Sequence, residues 1–249
     1  MVQYKIVFSP TGTTQKVTDI LAEGMGGAWK EIDLSLQQPT SYALDKEDVC
    51  LIAVPSFGGR VPATAAERMR MLTGNGAKVI LVCVYGNRAY DDTLAEMEDL
   101  AKESGFEIIA AVAAVAEHSI LRQFAAGRPD AEDKKELLEF TAVIKERVKG
   151  AVPELKLPGN HTYRSGGIGS MKPEVKETCG SCGLCAEKCP VGAIDAKDPK
   201  KTDLERCIGC MRCIAICPTG SRVLNEGMLA AISERLAPML GGRKPNELF

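Results

Sequence analysis

Cys179-Gly180-Ser181-Cys182-Gly183-Leu184-Cys185-Ala186-Glu187-Lys188-Cys189-Pro190 spells C-x2-C-x2-C-x3-C-P. Cys207-Ile208-Gly209-Cys210-Met211-Arg212-Cys213-Ile214-Ala215-Ile216-Cys217-Pro218 spells it again, 28 residues on. Three thiolates at steps of three on a tight turn can wrap three irons of one cubane, while the cysteine before proline is carried away to the other. By that rule Cys179, Cys182, Cys185 and Cys217 hold one 4Fe-4S cluster, and Cys207, Cys210, Cys213 and Cys189 hold a second.

Gly180, Gly183 and Gly209 suit this geometry, because they let backbone amides approach the sulfurs. The rival is zinc at one or two four-cysteine sites, but zinc ribbons pair one C-x2-C with a distant second and lack the proline-terminated steps. Over residues 176–224 the sequence resembles bacterial two-cluster ferredoxins, a small α+β fold. That resemblance implies a one-electron carrier of low potential.

Upstream, the chain changes character. Tyr4 to Phe8, Trp29 to Leu34, Val49 to Val54, Val79 to Tyr85 and Ile108 to Val115 read as strands, with helix-length segments between them. Val17, Ile20, Leu21 and Met25 form a 3.6-period stripe, and Asp130 caps a last helix carrying Leu137, Leu138, Phe140, Val143 and Ile144. Alternating strands and helices require right-handed crossovers, so residues 1–150 are expected to form a doubly wound parallel α/β sheet.

Three loops fall at that sheet's carboxyl edge, where open α/β sheets bind ligands. Ser9-Pro10-Thr11-Gly12-Thr13-Thr14 leads into a helix; its hydroxyls and free amides can hold a phosphate without lysine. Pro55-Ser56-Phe57-Gly58-Gly59 and Tyr85-Gly86-Asn87-Arg88-Ala89-Tyr90 follow the third and fourth strands. Together the loops resemble flavodoxin, with its Ser/Thr-x-Thr-Gly-x-Thr phosphate loop and two loops sandwiching an isoalloxazine ring.

The flavodoxin resemblance covers residues 1–150 and implies bound FMN. It places Phe57 against one flavin face, where flavodoxins often have tryptophan, and Tyr90 against the other; Trp29, opening the second strand, is not the stacking residue. Arg60 and Arg88 depart from the family pattern by putting cations beside the ring, which would favour the reduced flavin. Glu117 and His118 close the fifth strand near the same edge, and a structural role suits His118 better than proton delivery.

Residues 151–171, rich in proline and glycine, read as a linker; residues 172–225 as the two-cluster domain; and residues 226–249 as a helical tail whose helix Pro238 stops. His161 in the linker has no assigned role. Residues 1–150 carry 17 Lys and Arg against 22 Asp and Glu, and the remainder 14 against 11. That mild contrast would help the halves dock. Cys50 and Cys83 stand in hydrophobic runs as buried thiols without a role.

No apolar run approaches the ~20 residues of a membrane helix, no export signal opens the chain, and tight cysteine runs suit a reducing compartment. A cytoplasmic location is expected, with no membrane or nucleic-acid partner, since no basic stripe or aromatic platform appears. The whole arrangement resembles a flavodoxin fused to a two-cluster ferredoxin, a type associated with anaerobic bacterial metabolism.

What the resemblance implies is electron transport between FMN, two clusters and redox partner proteins, with oligomeric state open between monomer and homodimer. Two alternatives stand beside it. One is an FMN-dependent reductase using NAD(P)H or a small-molecule acceptor, although no G-x-G-x-x-G and no acid-base pair support it. The other is a redox sensor, for which no output element is visible.

Overall fold

A computed structural model describes residues 1–38, 40–150, 154–166 and 171–249. The chain runs β1 (Gln3–Val7), α1 (Thr13–Met25), β2 (Trp29–Asp33), β3 (Tyr42–Ala43), β4 (Val49–Pro55), α2 (Ala63–Met69), β5 (Leu72–Thr73), β6 (Lys78–Tyr85), α3 (Thr93–Glu103), β7 (Glu107–Val115) and α4 (Ala131–Lys149). It continues through β8 (Glu174–Val175), α5 (Leu184–Glu187), α6 (Arg212–Ala215), β9 (Arg222–Val223), α7 (Glu226–Leu240) and β10 (Glu247–Leu248).

The main sheet is ordered β10-β7-β6-β4-β1-β2, parallel throughout except at β10. Numbering only its five long strands gives 2-1-3-4-5, the flavodoxin-like order of doubly wound sheets. Both faces are covered, which explains the unbroken apolar runs. Ile6, Phe8, Cys50, Ile52, Val54 and Cys83 pack toward α2 and α3, while Val7, Leu51, Ala53 and Val112 pack toward α1 and α4.

Burial pushes the Cys50 thiol up to about 12 and holds Cys83 protonated as well, as suits core residues. Asp130 caps α4 as expected: its carboxylate accepts from the Glu132 and Asp133 amides, and the Asp133 side chain returns the bond to the Asp130 amide.

The 28-residue repeat persists in the backbone. α5 and α6 lie 28 positions apart, and the left-handed residues Ser181, Gly183 and Gly192 recur as Gly209, Met211 and Gly220. β8 pairs antiparallel with β9, and an Ile194–Thr202 bridge forms the matching pair on the other side of the repeat.

Two expectations change. Pro153, Gly167 and Gly169 lie outside the described residues, but residues 154–166 do not hang free. Asp92 accepts from the Asn160 amide at 2.9 Å and the Arg164 amide at 2.7 Å, Asp99 is bonded by His161 and Tyr163, and the Arg60 guanidinium lies 4.5 Å from the Tyr163 ring centroid. This segment is a strap fixed along α3.

The tail is not only helical either. α7 continues past Pro238 to Leu240, whose buried side chain and whose carbonyl, accepting from Asn87 Nδ2 at 2.6 Å, secure the last turn despite the missing amide hydrogen. The chain then adds β10 to the β7 edge, where Val115 donates to buried Asn246 Oδ1 at 2.9 Å and Asn246 Nδ2 donates to Asp133 and Glu136. Asn246→Ala strands these groups inside the protein. It is expected to cost about 1–3 kcal/mol, read by circular dichroism as a lower guanidinium midpoint.

Candidate functional site

β1 ends in a loop whose shape is set by its own hydroxyls. Ser9 Oγ accepts from the Gln15 amide at 2.9 Å, its amide donates to Ser35 Oγ, and Gly12 takes φ 90 at the N-cap of α1. Ser9 and Gly12 therefore set the shape of the loop. Thr11, Thr13 and Thr14 line the cavity in front of it, and the Thr13 and Thr14 amides have no acceptor among the described residues. A helix N-terminus with free amides and hydroxyls around it fits an anion such as phosphate.

The second loop is a tight turn. Phe57 and Arg60 exchange backbone bonds at 2.9 and 3.3 Å across Gly58 and Gly59, both at positive φ, which a type I′ turn requires. Pro55, Ser56 and Phe57 line the same cavity as the threonines, with Tyr85 and Gly86 of the third loop. Gly86 admits a close approach, since a Cβ there would meet the His118 ring at 2.6 Å.

Beyond Phe57 and Gly86 the space opens into a chamber of about 510 Å³, bordered by Gly58, Gly59, Arg88 and His118 on one side and by Ile232, Leu236 and Met239 of α7 on the other. Sequence reasoning missed this roof because α7 lies far along the chain and its amphipathic stripe names no partner. Arg164 and Ser165 of the strap, with Met171, close the rim.

Three side chains of these loops are tied to partners outside the chamber. Tyr90 packs edge-on against Tyr85 at 5.1 Å and donates to Glu247 Oε2 at 2.9 Å, so it anchors β10 and is not part of the chamber wall. The Asn87 side chain is buried against the carbonyls of Leu240 and Gly242. Arg60 holds both oxygens of Glu96 at 2.7 and 2.8 Å, so its charge is paired within the protein. Arg88 does border the chamber, but it pairs with Asp91, which Arg164 also contacts at 2.8 Å.

His118 lines both spaces. Its Nδ1 accepts from the Ile120 and Leu121 amides at 3.2 and 3.1 Å, which leaves the ring proton on Nε2, and burial together with the Arg88 charge holds its pKa down to about 4. Neighbouring Glu117 is tied to Arg122 at 2.6 Å and to the Gly127 amide, which keep it ionised despite desolvation.

Cysteines of the two runs come together at one place. Cys189 of the first run shares one cavity with Cys207, Cys210 and Cys213 of the second. Burial raises the Cys210 thiol to about 11 and the Cys213 thiol to about 12, so metal ligation there must displace protons. Among the described residues no three His, Cys, Asp or Glu side chains meet as they would around a single ion; a cubane takes its four thiolates at separate corners.

Amides point at the sulfurs at matching places in the repeat, Ala193 to Cys189 Sγ and Ser221 to Cys217 Sγ, each at 3.3 Å. Desolvation raises the Cys217 thiol, but donors from Thr219, Arg222 and Ser221 outweigh it and bring it to about 7. Such N–H···S bonds favour thiolate and fit a cluster ligand.

Cys210 also belongs to the wall of the loop cavity, so the second run abuts the first domain's ligand edge. The joint is made by arginines rather than by net charge. Arg212 donates to the carbonyls of Ser9 and Pro10 at 3.1 Å and of Ser35 at 3.3 Å, and Arg68 reaches back to the Pro190 and Leu34 carbonyls.

Comparison with known proteins divides along the same line. Residues 178–221 match the family described as a 4Fe-4S dicluster domain. An uncharacterized protein of Methanothermobacter thermautotrophicus is 34% identical over 82 residues, which cover 32% of this chain and 18% of that one. This chain thus spans under a fifth of that relative.

Among solved structures, a Streptococcus pneumoniae TIGR4 flavodoxin is 20% identical over 57% of this chain and 96% of its own, with TM-score 0.41. A Bacillus cereus flavodoxin is 16% identical over 60% and 98%, also at 0.41, and a Bacillus anthracis azoreductase is 10% identical over 59% and 100%, at 0.39. By its own strand order and the dicluster match, the chain joins a flavodoxin-like parallel α/β unit to a 4Fe-4S ferredoxin-type unit.

With only two histidines in the chain, the imidazoles report on the site separately. His118 is expected to show no NMR titration between pH 8 and 5, whereas His161, raised by its bond to Asp99, titrates above its ordinary value. Because an unfolded imidazole protonates near 6.5 and His118 only near 4, His118 withdraws folding stability as pH falls through that window. A His118 signal moving near pH 6.5 contradicts the buried, neutral assignment.

Proposed function

We propose that this protein transfers electrons between a flavin and two 4Fe-4S clusters and exchanges them with redox partner proteins. The observation that carries this reading is the position of Cys210, which borders both the loop cavity and the cavity shared by Cys189, Cys207 and Cys213. A cluster held by Cys189, Cys207, Cys210 and Cys213 would border the loop cavity, and Cys179, Cys182, Cys185 and Cys217 would hold the second.

FMN takes two electrons and releases them singly, and each cluster takes one, so the pair links two-electron and one-electron chemistry. Thr11, Thr13, Thr14 and the α1 N-terminus hold the phosphate. Phe57 and Ile232, Leu236 and Met239 of α7, which line the same chamber, would flank the ring. His118 Nε2–H supplies a fixed neutral donor at the ring, and Arg212 keeps the two units in register.

A second reading rests on the chamber itself. At about 510 Å³, with α7 on one side, it falls in the size range of small-ligand sites. An FMN-dependent reductase would use such a space for NAD(P)H or another small acceptor.

Anaerobic redox titration of the full chain by UV-visible and EPR spectroscopy, with iron, sulfide and flavin quantified, tests the first reading. About eight irons and one FMN per chain are expected. Stoichiometric zinc with little iron overturns the cluster assignment, and a flavin-free chain overturns the FMN assignment. Rapid anaerobic bleaching of flavin absorbance by NAD(P)H alone selects the reductase.

A further inference from the structure

Arg222 is one of the largest fully buried side chains, only 2% exposed, yet among the described residues it pairs with no carboxylate. Nη1 donates to Thr202 Oγ1 at 2.8 Å, Nη2 donates to the Pro199 carbonyl, and Nε has no partner among the described residues. A guanidinium stays charged at any working pH, and burying one without an opposite charge is strongly unfavourable. The compensating anion therefore has to come from something next to it.

Its surroundings name that anion. Arg222 Nη2 lies 3.7 Å from Cys185 Sγ, in one predicted ligand set, and the same side chain lines the cavity of Cys189, Cys207, Cys210 and Cys213, the other set. The guanidinium thus sits between the two cysteine sets. Within the 28-residue repeat its counterpart is Ile194, a buried apolar residue on the same cavity. The fold accepts an apolar side chain at this place in one repeat, so packing alone does not call for arginine in the other.

We propose that Arg222 is a positioning residue shared by both clusters, a fixed cation that raises the reduction potential of each. The proposal rests on the cluster assignment above. Each cluster gains one electron, supplied by the flavin or a redox partner, and with it one unit of negative charge. Arg222 neither gains nor loses a proton. A fixed positive charge stabilises the more anionic reduced form, in a medium where water screens little.

The test is EPR-monitored redox titration of the full chain as wild type, Arg222→Ile, Arg222→Gln and Arg222→Lys, with iron and sulfide quantified in each. Arg222→Ile places the sister repeat's residue at the site. It is expected to keep about eight irons and to lower the reduced-to-oxidised ratio of both clusters about tenfold at a fixed potential, a shift of 59 mV for a one-electron couple. Arg222→Gln should behave alike, and Arg222→Lys should stay near wild type.

Loss of iron from both neutral variants but not from Arg222→Lys expresses the same need for the cation during assembly, and supports the proposal. Full iron with unchanged potentials in either neutral variant overturns it, as does a shift confined to one cluster. Iron lost from all three variants also overturns it, because shape rather than charge would then be required. Wild-type protein without iron would instead refute the cluster assignment itself.

Discussion

The structure turns on a few hydrogen bonds from one guanidinium. Arg212 opens the second cysteine helix, and its donors reach the carbonyls of Ser9 and Pro10, two residues of the loop that ends β1. Backbone carbonyls of a strand-to-helix turn cannot move without disturbing both elements, so they make a rigid seat. With those carbonyls turned to Arg212, the amides of Thr13 and Thr14 stay free at the other side of the turn. One loop therefore serves as the joint while leaving free amides on its other side, and the cysteine helix comes to rest beside the loop cavity.

The rest of the chain keeps the two units from drifting. A composition such as that of residues 151–171 would leave the second unit on a flexible leash, raising effective concentration without fixing distance. The strap bonds to Asp92 and Asp99 instead, and the tail returns to extend the first unit's own sheet through β10. Electron exchange falls steeply with separation, so a docked arrangement serves it better than a tether. Fixing the tail at β10 also sets α7 over the chamber.

Much of this was legible in the residues. Five strands appear close to where their apolar runs lie, because parallel strands covered on both faces need unbroken hydrophobic sequence. The spacing also pointed to the neighbourhood of Cys189 with Cys207, Cys210 and Cys213. The partners of Tyr90, Asn87 and Arg60 are not legible for a common reason: each is a loop side chain whose partner lies far away in sequence or on another element, at Glu247, Leu240 and Glu96. Two-residue β10 carries no pattern, since edge pairing needs only backbone and the buried side chain that holds it, Asn246, is polar.

The repeat itself shows where function was added. Duplicated units start alike, so positions that pack equivalently can keep equivalent residues, and divergence marks a changed neighbour. Ala193 and Ser221 remain small and send the same amide to the same sulfur. Leu184 became Arg212, and Ile194 became Arg222, or the reverse, at otherwise matched places. Both arginines lie in the second repeat. One faces the first unit's loop and the other the space between the cysteine sets, so two charges break the near-symmetry of the repeat.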